Sequence, residues 1–309
     1  MSAWRQALVL ARRAYRQPAG RYEPPTLTGQ AASDLIKERL LSDAPVLIAR
    51  FGLVELNCLR QYLAISLPHK PFDYIRGRSP AFWWEESTLD TITQNAGFFP
   101  RDPALLERFC RQLLDDVPSI DILGSWLVDE SQVPGLQATR VQLRDLEPYF
   151  HAEPWSEALA GKIVLVVHPF TESIARQYAH RADLFADPRV LPAFELKTLQ
   201  AAQTIAGSPS EFATWFDAYD SMADRIAATE FDVAILGAGA YGLPLAAHVK
   251  RLGKKAIQLG GATQILFGIK GKRWDEHEFI APLYNDHWVR PLPTERPANY
   301  LQVEDGCYW

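Results

Sequence analysis

The run Gly237-Ala238-Gly239-Ala240-Tyr241-Gly242 places a complete GxGxxG between an apolar stretch at 232–236 and helical spacing at 243–252. Glycines allow a tight turn and a close backbone approach, and the free N–H groups and dipole of a following helix favour a diphosphate. The dinucleotide form of this turn also needs an acid at the end of the next strand to hold a ribose. That position reads Gln258-Leu259-Gly260-Gly261, which keeps the phosphate and weakens the case for a nicotinamide cofactor. The competing explanation is that the glycines let strand and helix pack closely.

Further polar residues cluster where apolar runs end. Arg50-Phe51-Gly52 is followed by Glu55, an arginine suited to a bidentate phosphate contact and a carboxylate suited to base or ligand work, or else a structural ion pair. His168 and Glu172, with Ser173 beside them, bracket a strand-to-helix turn as an acid–base pair or as a capping cluster. Lys270, Lys272 and Arg273 sit in a loop bracketed by Gly268 and Gly271, where cations would neutralise phosphate unless they are simply solvated. The seven histidines show no HExxH or other metal spacing, so no metal ligand set is assigned.

These groups need strands to aim them. Apolar runs at 45–49, 119–124, 163–167, 232–236 and 255–259 predict buried strands. Helical spacing predicts helices over 30–41, 54–63, 103–114, 195–205, 211–229 and 243–252. Another helix is expected to open at Phe82-Trp83-Trp84, and one capped by Thr171 to run toward 185. Segment 126–149 reads as mixed loop and helix. The alternation predicts an α/β, Rossmann-like, largely parallel sheet covered by helices on both faces. Ligands of such sheets sit beyond the carboxyl ends of the strands. Arg50-Phe51-Gly52, Gly124-Ser125-Trp126, His168-Pro169-Phe170, Gly237-Ala238-Gly239 and Gly260-Gly261 should therefore converge on one crevice.

At 309 residues the chain can form one large domain or two. The reading is a helix and linker over 1–30, with Pro18, Gly20, Pro24 and Pro25 marking the linker, then an α/β domain over 31–290 and a tail over 291–309. A division into lobes 31–155 and 156–290 stays open. A net charge of −5 argues against nucleic acid as partner. Three cysteines without a CxxC pair fit a reducing, cytoplasmic compartment. No signal peptide or apolar run of the ~20 residues that span a bilayer is visible. Residues 4–15 form an amphipathic helix carrying Arg5, Arg12 and Arg13, with Arg16 just beyond. Such a helix packs on its own domain or lies peripherally on an anionic inner membrane surface.

Two segments resemble the GT-D class of bacterial glycosyltransferases, proteins of surface-polysaccharide gene clusters. The family's Arg-aromatic-Gly-Asp-Gly-Glu signature is matched by Arg50-Phe51-Gly52-Leu53-Val54-Glu55, and its later glycine turn and Trp-ending loop by residues 233–274. The Cys307-Tyr308-Trp309 ending is also similar. The resemblance covers about residues 31–290. It implies transfer of a sugar from a nucleotide-diphosphate donor to a glycan or lipid-linked acceptor. Arg50, Gly52 and Glu55 would line the diphosphate, and Gly237, Gly239, Tyr241, Gly242, Gly260 and Gly261 would hold the nucleotide. Its paired acids would fall on Leu53 and Glu55, so half of a metal-binding element is replaced. No cofactor is assigned, and weak Mg²⁺ or Mn²⁺ dependence stays open. Glu55 is the first candidate for base, with His168 and Glu172 next. A non-catalytic nucleotide-binding module of a polysaccharide assembly complex is the alternative, followed by an NAD-dependent oxidoreductase.

Overall fold

Strands buried on both faces read as near-continuous apolar runs rather than alternating ones, and residues 46–49, 163–167 and 233–236 of this chain do. The computed structural model describes residues 3–17, 22, 24–68 and 70–309. Pro18 and Gly20 of the expected linker lie outside them. The first half contains α1 (Ala3–Tyr15), α2 (Gln30–Leu41), β1 (Val46–Ala49), α3 (Leu53–Ser66), α4 (Pro71–Ile75), α5 (Glu86–Ala96), α6 (Pro103–Asp116), β2 (Ile122–Ser125) and β3 (Thr139–Gln142). The second contains β4 (Ile163–His168), α7 (Thr171–Tyr178), β5 (Glu195–Gln200), α8 (Trp215–Ala227), β6 (Val233–Leu236), α9 (Gly242–Arg251), β7 (Lys255–Gln258) and α10 (Ala262–Leu266).

All seven strands form one parallel sheet in the order β3-β2-β1-β7-β6-β4-β5. The chain is thus an α/β protein with a Rossmann-like sheet, and β7 from the second half pairs directly with β1 from the first. Leu47, Ala49, Leu165, Val167, Ala234 and Leu236 pack on one face against α3, α5, α6, α8 and α9. Val46, Ile48, Val164, Val166, Val233 and Ile257 pack on the other against α2, α7 and α10. Full burial of one such side chain stabilises by roughly 1.5–3 kcal/mol.

Four expectations change. Residues 195–200 form strand β5 and not a helix, paired with β4 from Ile163↔Glu195 to His168↔Gln200. In a short mixed segment helical and strand spacing are hard to separate, and pairing decides. Segment 126–149 contains edge strand β3, paired with β2. Phe82 and Trp83 precede α5 instead of opening it, and they pack with Leu8 and Tyr74. The helix after β4 ends at Tyr178, and Thr171 is its first residue and not its cap. The tail provides the cap, because the Glu295 carboxylate accepts the N–H groups of Glu172 at 2.8 Å and Ser173 at 3.2 Å.

Candidate functional site

Neighbouring strands in the middle of the sheet send the chain to opposite faces. After β1 it enters α3 and after β6 it enters α9, both on one side. After β7 it enters α10 and after β4 it enters α7, both on the other. Such a reversal opens a crevice beyond the strands' carboxyl ends. A cavity of about 450 Å³ lies there, and all five strand ends named from the sequence contribute to its lining. They supply Arg50 and Gly52, Trp126, His168 with Pro169 and Phe170, Gly237 to Gly239, and Gly260 with Gly261. Glu55, Tyr241 and Arg273 line it as well.

Arg50 is held from several sides. Its N–H donates to Gln258 Oε1 at 2.8 Å, its guanidinium donates to the Phe51 carbonyl at 3.1 Å, and it lies 5.0 Å over the Trp126 ring. Among the described residues no carboxylate stands within 4.0 Å of it. Burial lowers its pKa, which Glu55, Tyr308 and Glu147 partly oppose. The same burial pushes the Glu147 carboxyl up to about 7, against its hydrogen bond from Tyr149 and the charge of Arg50. Glu55 is the third residue of α3, and its carboxylate folds back over Gly52, where a Cβ would stand 1.8 Å from Oε2. Burial raises the Glu55 pKa, while its own backbone N–H and Arg50 pull it down.

His168 is buried, and burial alone pushes its pKa down to about 3. Its Nδ1 receives the Phe170 N–H at 3.0 Å. A backbone N–H can only donate, so the ring proton belongs on Nε2. This neutral imidazole offers the cavity a hydrogen-bond donor, and the base role expected of it loses its free nitrogen. In the two glycine turns, the N–H groups of Ala238, Gly239, Ala240, Gly261 and Ala262 have no acceptor among the described residues. Backbone donors of this kind form an anion cradle.

Arg273 reaches the same cavity from the loop after α10. Burial lowers its pKa, but Tyr308, Cys307 and Glu304 more than offset that. Its guanidinium donates to Glu304 and lies 4.9 Å over the Tyr308 ring. Several other expected residues are not brought there. Glu172 is exposed and paired with Arg176 one turn along α7. Lys270 lies 5.3 Å over Tyr284, and Lys272 turns to the Asp305 carbonyl at 3.2 Å, because the backbone turn at 271–274 sends adjacent side chains to different sides. Gly242 lies behind the lining, where its Cβ would meet Gln258 at 3.2 Å. Conversely, Thr204, Gln258, Tyr308 and Trp309 line the cavity without having been singled out as ligand-facing. Thr204 donates to the Gly97 carbonyl, and Tyr241 stacks on Trp215 at 4.9 Å, which raises its pKa mainly by burial.

The donor set does not fit a divalent cation held by protein carboxylates. Leu53, 49% exposed, stands where a second acid would be needed, and the Glu55 carboxylate is turned onto Gly52. Among the described residues there is no cluster of three or more His, Cys, Asp or Glu able to hold a metal ion. No helix among them is long and apolar enough to cross a membrane.

No family profile matches the chain, and no curated protein matches it. Among solved structures, the selenomethionine-substituted structure of domain of unknown function 1792 (DUF1792) is similar, with 13% identity and a TM-score of 0.36 over 85% of this chain and 96% of that one.

Proposed function

We propose that the chain is a glycosyltransferase that moves a sugar from a nucleotide-diphosphate donor to a surface glycan or its lipid-linked precursor. One observation carries the reading. A single cavity is lined by Arg50, with no carboxylate within 4.0 Å of it, by Arg273 paired with Glu304, by a neutral His168 donor, and by Ala238, Gly239 and Gly261 of the two glycine turns, whose N–H groups are unpaired among the described residues. Donors fixed in advance around a leaving diphosphate stabilise its developing charge without reorganising. In the transfer, an acceptor hydroxyl oxygen bonds to the anomeric carbon, the bond from that carbon to the phosphate oxygen breaks, and the hydroxyl proton passes to a base. Glu55 is the cavity carboxylate whose pKa is raised, which suits that base. The Arg50 to Glu55 resemblance to the GT-D class supports the same assignment.

A second reading, a non-catalytic nucleotide-binding module, is favoured by Leu53 in place of an acid and by the folded-back Glu55 carboxylate. A nicotinamide enzyme is disfavoured by Gln258, whose amide oxygen is already engaged by Arg50. Calorimetry with UDP, GDP and NAD separates the classes, and diphosphate release from nucleotide sugars separates the first two. Diphosphate binding without NAD binding is expected. Turnover should fall ~10²–10⁴-fold in Glu55→Gln with donor affinity kept. Tight NAD binding with no diphosphate binding overturns the transferase, and binding without turnover across a donor and acceptor panel selects the module.

A further inference from the structure

The first helix packs away from the sheet, against α4 and the Phe82-Trp83 corner. Leu8 is buried there with Tyr74, and Arg12 donates to the Ser79 carbonyl at 2.8 Å while lying 4.5 Å over the Tyr74 ring. Trp4 packs on the Phe82 ring at 5.7 Å and Arg5 lies 5.4 Å over Trp83, which completes the attachment of α1. These contacts leave Trp4 54%, Leu10 63%, Tyr15 71%, Leu67 59% and Phe72 76% exposed. One exposed apolar side chain is ordinary, whereas five on two packed helices and the turn before α4 form a concentration. The charge is equally lopsided. Residues 3–17 and 67–78 hold seven Arg and Lys against one carboxylate, Asp73, in a chain of net charge −5. Arg13, Arg16, Lys70, Arg76 and Arg78 are exposed, and none makes an ion pair among the described residues.

We infer that α1 and α4 form a docking surface for an anionic lipid bilayer. Charge complementarity selects the occupant: guanidinium groups pair with headgroup phosphates, while tryptophan, tyrosine, phenylalanine and leucine partition into the headgroup boundary. A nucleic acid would use the cations and rings but gain nothing from Leu10 and Leu67. The patch and the cavity are separate. Leu53 and Glu55 line the cavity at the start of α3, and Ser66 ends that helix 13 positions after Leu53, a span of about 20 Å. Membrane binding can therefore be read independently of whether the cavity binds nucleotide.

The test is co-sedimentation of the full chain with vesicles of phosphatidylcholine alone or mixed with phosphatidylglycerol. Partition onto the anionic vesicles is expected to exceed that onto neutral ones by at least ~10-fold and to fall as salt shortens the screening length. Two double variants, Arg13→Glu with Arg16→Glu and Leu10→Ser with Phe72→Ser, should each lose ~10-fold or more of that partition. These side chains are exposed, so the melting profile should stay at the wild-type value. Equal partition onto both vesicles, no partition at all, or variants that melt normally and still bind would each overturn the inference.

Discussion

The two glycine turns at the cavity differ in what their glycines touch. A Cβ on Gly239 would stand 2.8 Å from the Ala96 carbonyl oxygen at the end of α5, at a φ of +51°. One on Gly237 would stand 2.6 Å from the Gly260 carbonyl oxygen and 2.7 Å from the His168 ring. In the second turn, a Cβ on Gly260 would meet the Arg50 guanidinium at 3.0 Å, and one on Gly261 would meet Tyr308 at 3.1 Å. Backbone carbonyls crowd Gly239 and, together with the His168 ring, Gly237 in the first turn, whereas only side chains crowd the second. The motif most visible in the sequence thus uses its glycines largely to bring elements together, while the less visible pair seats the ligand-facing groups. Both turns still present unpaired N–H groups.

Gly239→Val gives the largest expected effect. A branched side chain at positive φ and a clash with backbone together should cost roughly 3–5 kcal/mol of stability, read by urea or thermal melting. If the variant melts like the wild type but no longer binds nucleoside diphosphate, the glycine serves the ligand and the contrast between the turns disappears.

Glu147 sharpens the second turn, because its charge is felt by the Arg50 that Gly260 seats. Its pKa is raised to about 7, so its contribution to stability is present below the ordinary carboxylate range and is lost as pH rises through about 7. Asp116, raised to about 6 by burial, acts in the same direction, and His168, lowered to about 3, acts oppositely below its ordinary value. The difference between wild type and Glu147→Gln isolates the one group. Melts from pH 5 to 8 should show the wild type losing on the order of 2 kcal/mol relative to the variant. Parallel profiles would remove Glu147 as the group behind Arg50.

A smaller effect is expected of Gly260→Ala. A methyl at φ +61° costs about 1–2 kcal/mol and must displace Arg50. Nucleotide-sugar affinity should fall ~10-fold, equivalent to about 1.4 kcal/mol. Unchanged affinity with lowered stability would make the two turns alike.

Sequence patterning reached the inner strands because burial on both faces leaves continuous apolar runs at 46–49, 163–167 and 233–236, and it reached β7 through the buried pair Ala256 and Ile257. It missed β3 and β5 because an edge strand buries little: only Val141 of β3 and Leu199 of β5 are buried. Strand ends located the crevice, since parallel strands must deliver their carboxyl ends to one side. Gln258 was visible as a missing acid, but its use as acceptor for Arg50 depends on a partner 208 residues away. Thr204, Tyr308 and Trp309 arrive on loops whose paths are set by packing, among them the contact of Ala206 with Val303 and Cys307, and no local spacing encodes that.

The smallest expected effect is that of a chelator. A metal commonly neutralises a leaving diphosphate when protein carboxylates can hold it. Here Leu53 removes one such carboxylate, and Glu55 faces Gly52. Among the described residues the two turns supply unpaired N–H groups at the cavity-lining Ala238, Gly239 and Gly261, Arg50 supplies charge beside them, and Arg273 shares its charge with Glu304. Those donors need no ion, so removing divalent metal should change donor turnover by less than about threefold, within what a metal carried by the diphosphate itself would add. Turnover with and without chelator, in wild type and in Gly260→Ala, tests this. If the turns do the neutralising, the variant lowers turnover under both conditions and the chelator lowers it little in either. Loss of activity on chelation, with Gly260→Ala unaffected, would mean that a metal meets the diphosphate charge and that the second turn only packs, as the first does.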